Sequence, residues 1–297
     1  MANSVYLDNT ELKRLEVQRQ LLIEYEQPIY NEIINKRTGL TLLDIGCNDG
    51  SKTKTRFSEN NFDKIIGLDC LDELTEKANK KFGNEVFKFF SCDVTKSDFI
   101  DKLTNIMSTE KIEYFNIINC SFLLIHLKNA VKVLKELKRF LAPDGCIIVI
   151  EPDDTESYLS PDTDGIFKEF LKVLEYDPYS GKRTFGSELP QLFNESGYLD
   201  YRLRCSTICA KGDEISKKEA IFTTFCSYLK EDLMLLREQE PENNIYQECW
   251  EWVTRNFDKL HNYMISEKAK VCMGVKIYTC GGMANEHRRI DTNSIDT

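Results

Sequence analysis

This chain of 297 residues has only three histidines, two tryptophans and seven prolines, and none of its eleven cysteines stand as a Cys-x-x-Cys pair. Zinc sites draw on close pairs of Cys and His ligands, so the spacing argues against a metal centre. The cysteines read instead as small buried hydrophobes in a reducing compartment, without a disulfide framework. No apolar run reaches membrane-spanning length. The opening MANSVYLDNTELKRLEVQ has no apolar leader core, which predicts a cytosolic protein with no membrane partner. Positive charge is also short, with 39 Lys and Arg against 49 Asp and Glu for a net charge of −10. A broad phosphate-binding surface is therefore not expected, and nucleic acid is a poor partner. No internal repeat or low-complexity segment stands out.

What is present is a regular alternation. Apolar strands are expected at 41–45, 64–69, 86–93, 114–121 and 145–151. Helical segments fall between them at 52–59, 71–81, 96–107 and 129–141. The turn Ala142-Pro143-Asp144-Gly145 launches the fifth strand. Alternation of this kind predicts a doubly wound, mainly parallel sheet whose ligands bind beyond the carboxyl ends of the strands. Two helices are expected ahead of it, over 8–26 with Leu12, Leu15, Arg19 and Leu22 on one face, then a short one opened by Pro28. After the fifth strand come helices near 165–175 and 187–196 and a strand near 199–209. Two helical runs then follow, joined at a loop around Pro241, and a last strand spans 271–280. The division expected is a helical cap over 1–38, a core over 39–212, a helical lid over 213–267, and a last strand with a polar tail over 268–297.

The stretch Leu42 to Thr53, LLDIGCNDGSKT, organises this pattern. An apolar strand ends in Asp44, the chain turns through Gly46, Cys47, Asn48 and Gly50, and a helix opens. Glycine lets a backbone turn sharply and approach a ligand, and a helix start offers unpaired N–H groups to an anion. The NAD-type Gly-x-Gly-x-x-Gly spacing is met at Gly46 alone, since Asn48 and Ser51 occupy its other places.

The stretch resembles motif I of the class I S-adenosylmethionine (SAM) methyltransferases, acid-x-Gly-x-Gly-x-Gly, with Asn48 in place of the middle glycine. Asn tolerates left-handed backbone angles better than most residues, so the turn is expected to survive. The resemblance extends over about 41–280. It implies a seven-stranded Rossmann-like methyltransferase fold, SAM as cofactor and S-adenosylhomocysteine (SAH) as product. Ile65-Ile66-Gly67-Leu68-Asp69 resembles motif II, which gives Asp69 the ribose hydroxyls and Cys70 the adenine face. Ser91-Cys92-Asp93-Val94 resembles motif III, with Asp93 and the Val94 N–H on adenine. Phe115 to Ser121 resembles motif IV, where backbone near Cys120 reaches the methionine half. The segment Tyr6…Glu11-Leu12-x-Arg14-Leu15-x-x-Gln18 resembles the leader of UbiE-like small-molecule enzymes. It implies that Tyr6, Arg14 and Gln18 face the methionine end, Arg14 pairing its carboxylate.

For the chemistry, a sulfonium methyl needs chiefly an in-line nucleophile and exclusion of water. His126, with an ordinary pKa of about 6.5, is the candidate proton acceptor for an acidic substrate, set against a structural helix histidine. Glu151, Asp153 and Asp154 read first as a solvated acidic loop, with amine binding, proton acceptance or a divalent metal as alternatives. Phe222, Phe225, Trp250, Trp252 and Phe257 read as lid packing, some of it lining an apolar pocket. The expectation is methyl transfer to a small, apolar or aromatic molecule. The rivals are a non-catalytic SAM- or nucleotide-binding module, a methyltransferase for protein or tRNA, and an NAD oxidoreductase. Whether the chain pairs with itself is left open.

Overall fold

Asn9–Ile34 forms one unbroken helix, α1, in the computed structural model, which describes residues 9–281. The sequence expectation of two helices is corrected here. Pro28 does remove an N–H from the helix interior, but contacts on both sides of it hold the helix down. Glu26 is paired with Arg56, and the Tyr30 hydroxyl donates to Asn119 Oδ1 at 2.8 Å. The buried stripe of α1, with Gln18, Leu22, Glu26, Ile29 and Tyr30, continues the expected face through Leu22, and Leu12, Leu15 and Arg19 are half-buried. Burial against the sheet, not intrinsic propensity, carries a helix through such a residue.

The first five strands are β1 (Leu40–Ile45), β2 (Phe62–Asp69), β3 (Phe87–Ser91), β4 (Phe115–Ser121) and β5 (Leu141–Pro152). They lie parallel in the order β3-β2-β1-β4-β5. The last strand, β8 (Lys270–Gly281), runs antiparallel to β5, and β7 (Tyr201–Ala210) pairs antiparallel with its other edge. An eighth strand, β6 (Tyr158–Ser160), corrects the expected count of seven. Its cause is local. β5 reaches only Val275–Gly281 of β8, and β6 pairs with Lys270 to Cys272, satisfying backbone groups left at that edge.

Helices α2 (Ser51–Arg56), α3 (Asp72–Phe82), α4 (Phe99–Glu110), α5 (Ala130–Lys138), α6 (Ile166–Leu174) and α7 (Leu189–Ser196) connect the strands. On one face of the sheet α4, α5 and α7 pack over Leu43, Ile45, Ile66, Leu68, Ile118 and Val149. On the other, α1 and α6 join Leu42, Ile65, Ile117, Ile148 and Ile150 in a second cluster. That cluster also takes in α8 (Ile215–Phe225), α9 (Leu229–Gln239) and α10 (Asn244–Met264). Three helices therefore stand where two runs are expected. The N–H groups of both Cys226 and Ser227 turn back to the Phe222 carbonyl, closing α8 before α9 begins. Among the described residues no helix is long and apolar enough to cross a membrane.

The cysteine reading is corrected at one pair. Cys209 and Cys272 occupy facing positions of β7 and β8 and form a disulfide, while the other nine cysteines are free.

Candidate functional site

At the end of β1 the chain reverses through three left-handed positions, Gly46 (φ +74°), Asn48 (φ 51°) and Gly50 (φ +74°). Asn48 thus holds the backbone conformation for which glycine is the usual residue. At Gly50 a side chain is also excluded by space, since an added Cβ would meet the Phe89 ring at 2.8 Å. The N–H groups of Gly46 and Cys47 both go to the Leu68 carbonyl, at 2.8 and 3.0 Å, tying the turn to β2.

Asp44 is withdrawn from solvent. Its carboxylate accepts from Thr53 Oγ1 at 2.5 Å and from Asn119 Nδ2 at 2.7 Å, and Asn119 accepts from Tyr30. This buried relay joins β1, α2, β4 and α1. Asp69 ends β2 with its carboxylate partly open. One oxygen accepts from the Asn48 N–H at 3.0 Å and the other from the Leu71 N–H at 3.1 Å. Burial raises its pKa, and those N–H bonds partly offset the rise. Cys70 is exposed beside it.

On β3's side, Asp93 accepts from the N–H and Oγ1 of Thr95 at 2.9 and 2.7 Å, and Val94 is buried. Burial opposes ionisation of Asp93, but the Thr95 bonds, with Lys96 and Lys102, outweigh it and lower its pKa. Cys120 faces Ile45 across the β1–β4 pair and is fully buried. The strand order sets Asp93, Asp69, the glycine turn and Cys120 in one row along the carboxyl edge. Such an edge, at the reversal between β1 and β4, is where open α/β sheets bind ligands.

The residues expected from the leader divide. Tyr6 lies outside the described residues. Gln18 is buried and accepts a hydrogen bond from the Lys52 ammonium. Arg14 is turned to other work, giving Nε and Nη2 to Glu11 at 2.6 and 2.7 Å and Nη1 to the Thr224 carbonyl of α8 at 2.8 Å. Its guanidinium also lies 5.2 Å from the centre of the Tyr228 ring. His126 closes a 3-10 turn after β4 with its ring still reached by solvent. Crowding by protein, then the charge of Arg14, lowers its pKa, while Glu11 opposes.

Several members of the site carry no motif. Lys52, two residues past Gly50, extends to Gln18 with its ammonium 5.4 Å from the centre of the Phe122 ring. Arg56 donates to Glu26 and, at 2.9 Å, to Ser121 Oγ at the end of β4. The expected solvated acidic loop is overturned, since Glu151 and Asp153 are 0% and 1% exposed. Glu151 Oε1 accepts from the N–H groups of Leu123 and Leu124 at 3.0 and 2.6 Å, and Oε2 is buried with no hydrogen-bond partner among the described residues. Burial pushes its pKa up to about 8, against those N–H bonds. Leu123 is the residue that would meet a Cβ at Gly46, at 3.3 Å, so Glu151 anchors a wall of the turn. Asp154 is held bidentate by Arg183 at 2.9 and 3.0 Å. On α9 Asp232 sits against Asp177, and burial with that neighbour pushes Asp232 up to about 8. Phe222 of α8 and Phe257 of α10 pack on each other with ring centres 5.2 Å apart, and Phe225 is buried with them.

The profile of a family described as a methyltransferase domain matches residues 17–206. The ubiquinone biosynthesis O-methyltransferase of Actinobacillus pleuropneumoniae serotype 5b is 25% identical over 149 residues, covering 50% of this chain and 58% of that protein. The chain thus matches little more than half the length of that curated relative. The plantazolicin methyltransferase BamL, solved with a triazolic desmethylPZN analog and SAH, superposes with a TM-score of 0.50 at 16% identity. That superposition covers 94% of this chain and 91% of BamL. The YcgJ protein from Bacillus subtilis has a TM-score of 0.49 at 18% identity, covering 86% of this chain and 98% of that one.

Proposed function

The chain belongs to the methyltransferase-domain family, and from that premise we propose that it is a SAM-dependent methyltransferase whose acceptor is a small, apolar or aromatic molecule methylated by direct in-line transfer. The residues present fit the cofactor. Asp69 offers an acceptor-only carboxylate of the kind that takes two hydroxyls at once, and it is held to the turn by the Asn48 N–H. When bound, SAM supplies an electrophilic methyl group.

In this reading Asp69 takes the ribose, Asp93 and the Val94 N–H take the adenine, and backbone at Gly46 and Cys120 borders the amino-acid end. Asp44 acts from behind, fixing the turn through Thr53 and Asn119. The observation that carries the acceptor class is the docking of α8 on α1. Arg14 of α1 holds the Thr224 carbonyl and lies over Tyr228, next to buried Phe222 and Phe225. Helices docked in this way suit an enclosed apolar acceptor from which water is kept out. His126, with a lowered pKa that leaves it neutral near pH 7, takes up the proton from an acidic O–H or N–H acceptor.

The test is calorimetric titration with SAM and SAH, followed by incubation with methyl-labelled SAM and a metabolite extract. The expected outcome is binding of both ligands and label in a small apolar product. Label appearing only in protein or tRNA would overturn the acceptor class.

A further inference from the structure

We propose that the Lys52 ammonium is the cation that receives the carboxylate on the amino-acid end of the cofactor, an inference that rests on the methyltransferase reading above. Lys52 leaves the chain just after the glycine turn of β1, and its ammonium stands over Phe122, which follows β4. It therefore spans the crevice between the carboxyl ends of β1 and β4, where the strand order reverses. It is also held there by Gln18 from α1, so three separate elements fix it.

Next comes charge. Among the described residues no carboxylate pairs with Lys52. The nearby anions are committed elsewhere, Glu26 to both prongs of Arg56 and Asp44 to Thr53 and Asn119. An ammonium half withdrawn from water without a counter-ion is less favourable than a solvated one, and a carboxylate ligand offsets that cost. The groups facing it are Arg56 on its own helix, Gln18, Glu26 and Arg14 on α1, and Asp44 on β1. Burial, then repulsion by Arg56, pulls Lys52 down to about 7, with Arg14 adding and Glu26 and Asp44 opposing. Arg14, the residue the leader resemblance points to, already gives three N–H groups to Glu11 and Thr224, and Glu11 balances its charge.

The sign of the pH effect follows. A carboxylate beside Lys52 favours the charged form and raises its pKa. Binding at about pH 8 therefore takes up a proton, and affinity falls as the pH climbs above about 7.

The experiment is calorimetry on the full chain with two ligands, SAH and 5′-methylthioadenosine, which keeps the nucleoside but lacks the amino-acid end. Each is titrated into wild type, Lys52→Met and Lys52→Arg, in two buffers of different ionisation enthalpy. Lys52→Met is expected to weaken SAH by about 10–100-fold, the weight of a charge-assisted hydrogen bond, and to leave methylthioadenosine unchanged. Proton uptake with SAH disappears in Lys52→Met. Lys52→Arg, permanently charged, restores affinity without proton uptake. Equal weakening of both ligands, or SAH affinity and proton uptake unchanged by Lys52→Met, overturns the proposal. Wild type binding neither ligand overturns the cofactor reading itself, and this inference with it.

Discussion

Glu26 and Arg56 meet as a two-pronged ion pair, Nε to Oε2 at 2.6 Å and Nη2 to Oε1 at 2.8 Å, with 2% and 3% of their side chains exposed. The pair joins α1 to α2 next to the glycine turn, and Arg56 carries the linkage on to Ser121 of β4. Removing one member strands a buried charge. Glu26→Ala is expected to lower the unfolding free energy by about 3–5 kcal/mol. The double variant Glu26→Leu, Arg56→Met should lose clearly less. Urea denaturation of both measures the difference, and equal losses would refute the stranded-charge account.

Asn48 is expected to tolerate glycine and resist alanine. Its φ of 51° is open to glycine at no steric cost, whereas a Cβ without a compensating polar side chain costs about 1–2 kcal/mol. Both variants lose the bond that Oδ1 accepts from the Asp49 N–H at 2.7 Å, so the difference between them reports the backbone alone. Denaturation midpoints for the two variants test this. Alanine proving as stable as glycine would show that the turn relaxes out of the left-handed region.

Asp69→Ala should weaken SAH binding by about 10–100-fold, the scale of a hydrogen bond to a charged acceptor. Calorimetry supplies the number. Unchanged affinity would remove Asp69 from the cofactor site and leave it as a brace for the Asn48 and Leu71 N–H groups.

Glu151 makes stability depend on pH in a stated direction. Unfolded, its carboxyl ionises near about 4.3, and folded it does so at about 8. Between those values the native state holds a proton that the unfolded chain has released. Stability therefore falls as pH rises through that window and levels off above it, by at most about 1.4 kcal/mol per pH unit for one proton. Glu151→Gln keeps an acceptor for Leu123 and Leu124 and should abolish this part of the slope. Unfolding free energies at about pH 5 and about pH 8 decide it, and an unaltered slope would count against a buried neutral acid.

The Cys209–Cys272 disulfide spans a sequence separation of 63 that contains α8, α9 and α10. A closed loop of that length restricts the unfolded chain by about 4 kcal/mol on chain-entropy grounds. Cys209→Ser with Cys272→Ser should lower stability by up to that amount. Thiol titration under denaturing conditions should find nine free thiols before reduction and eleven after. Eleven at the outset would mean that the pair is reduced in solution.

Much of the arrangement is written in local pattern. Strand–turn–helix alternation with glycines at 46 and 50 gives the mainly parallel sheet and places Asp69 and Asp93 at strand ends, since short-range periodicity and turn chemistry both act within a few residues. The continuity of α1 through Pro28 and the pairing of β6 were not legible. Each is decided by a partner far away in sequence, Arg56 and Asn119 in one case and the open edge of β8 in the other.

The same division holds in the site. Sequence by itself determined the family, the glycine turn and which acidic residues end which strands. Only the tertiary structure decided what each charge does. Arg14 is engaged by Glu11 and α8, Glu151 is a buried acid, and among the described residues no carboxylate pairs with Lys52. Ionisation and availability depend on burial and on neighbours brought in from other elements, and a linear chain holds neither until it folds.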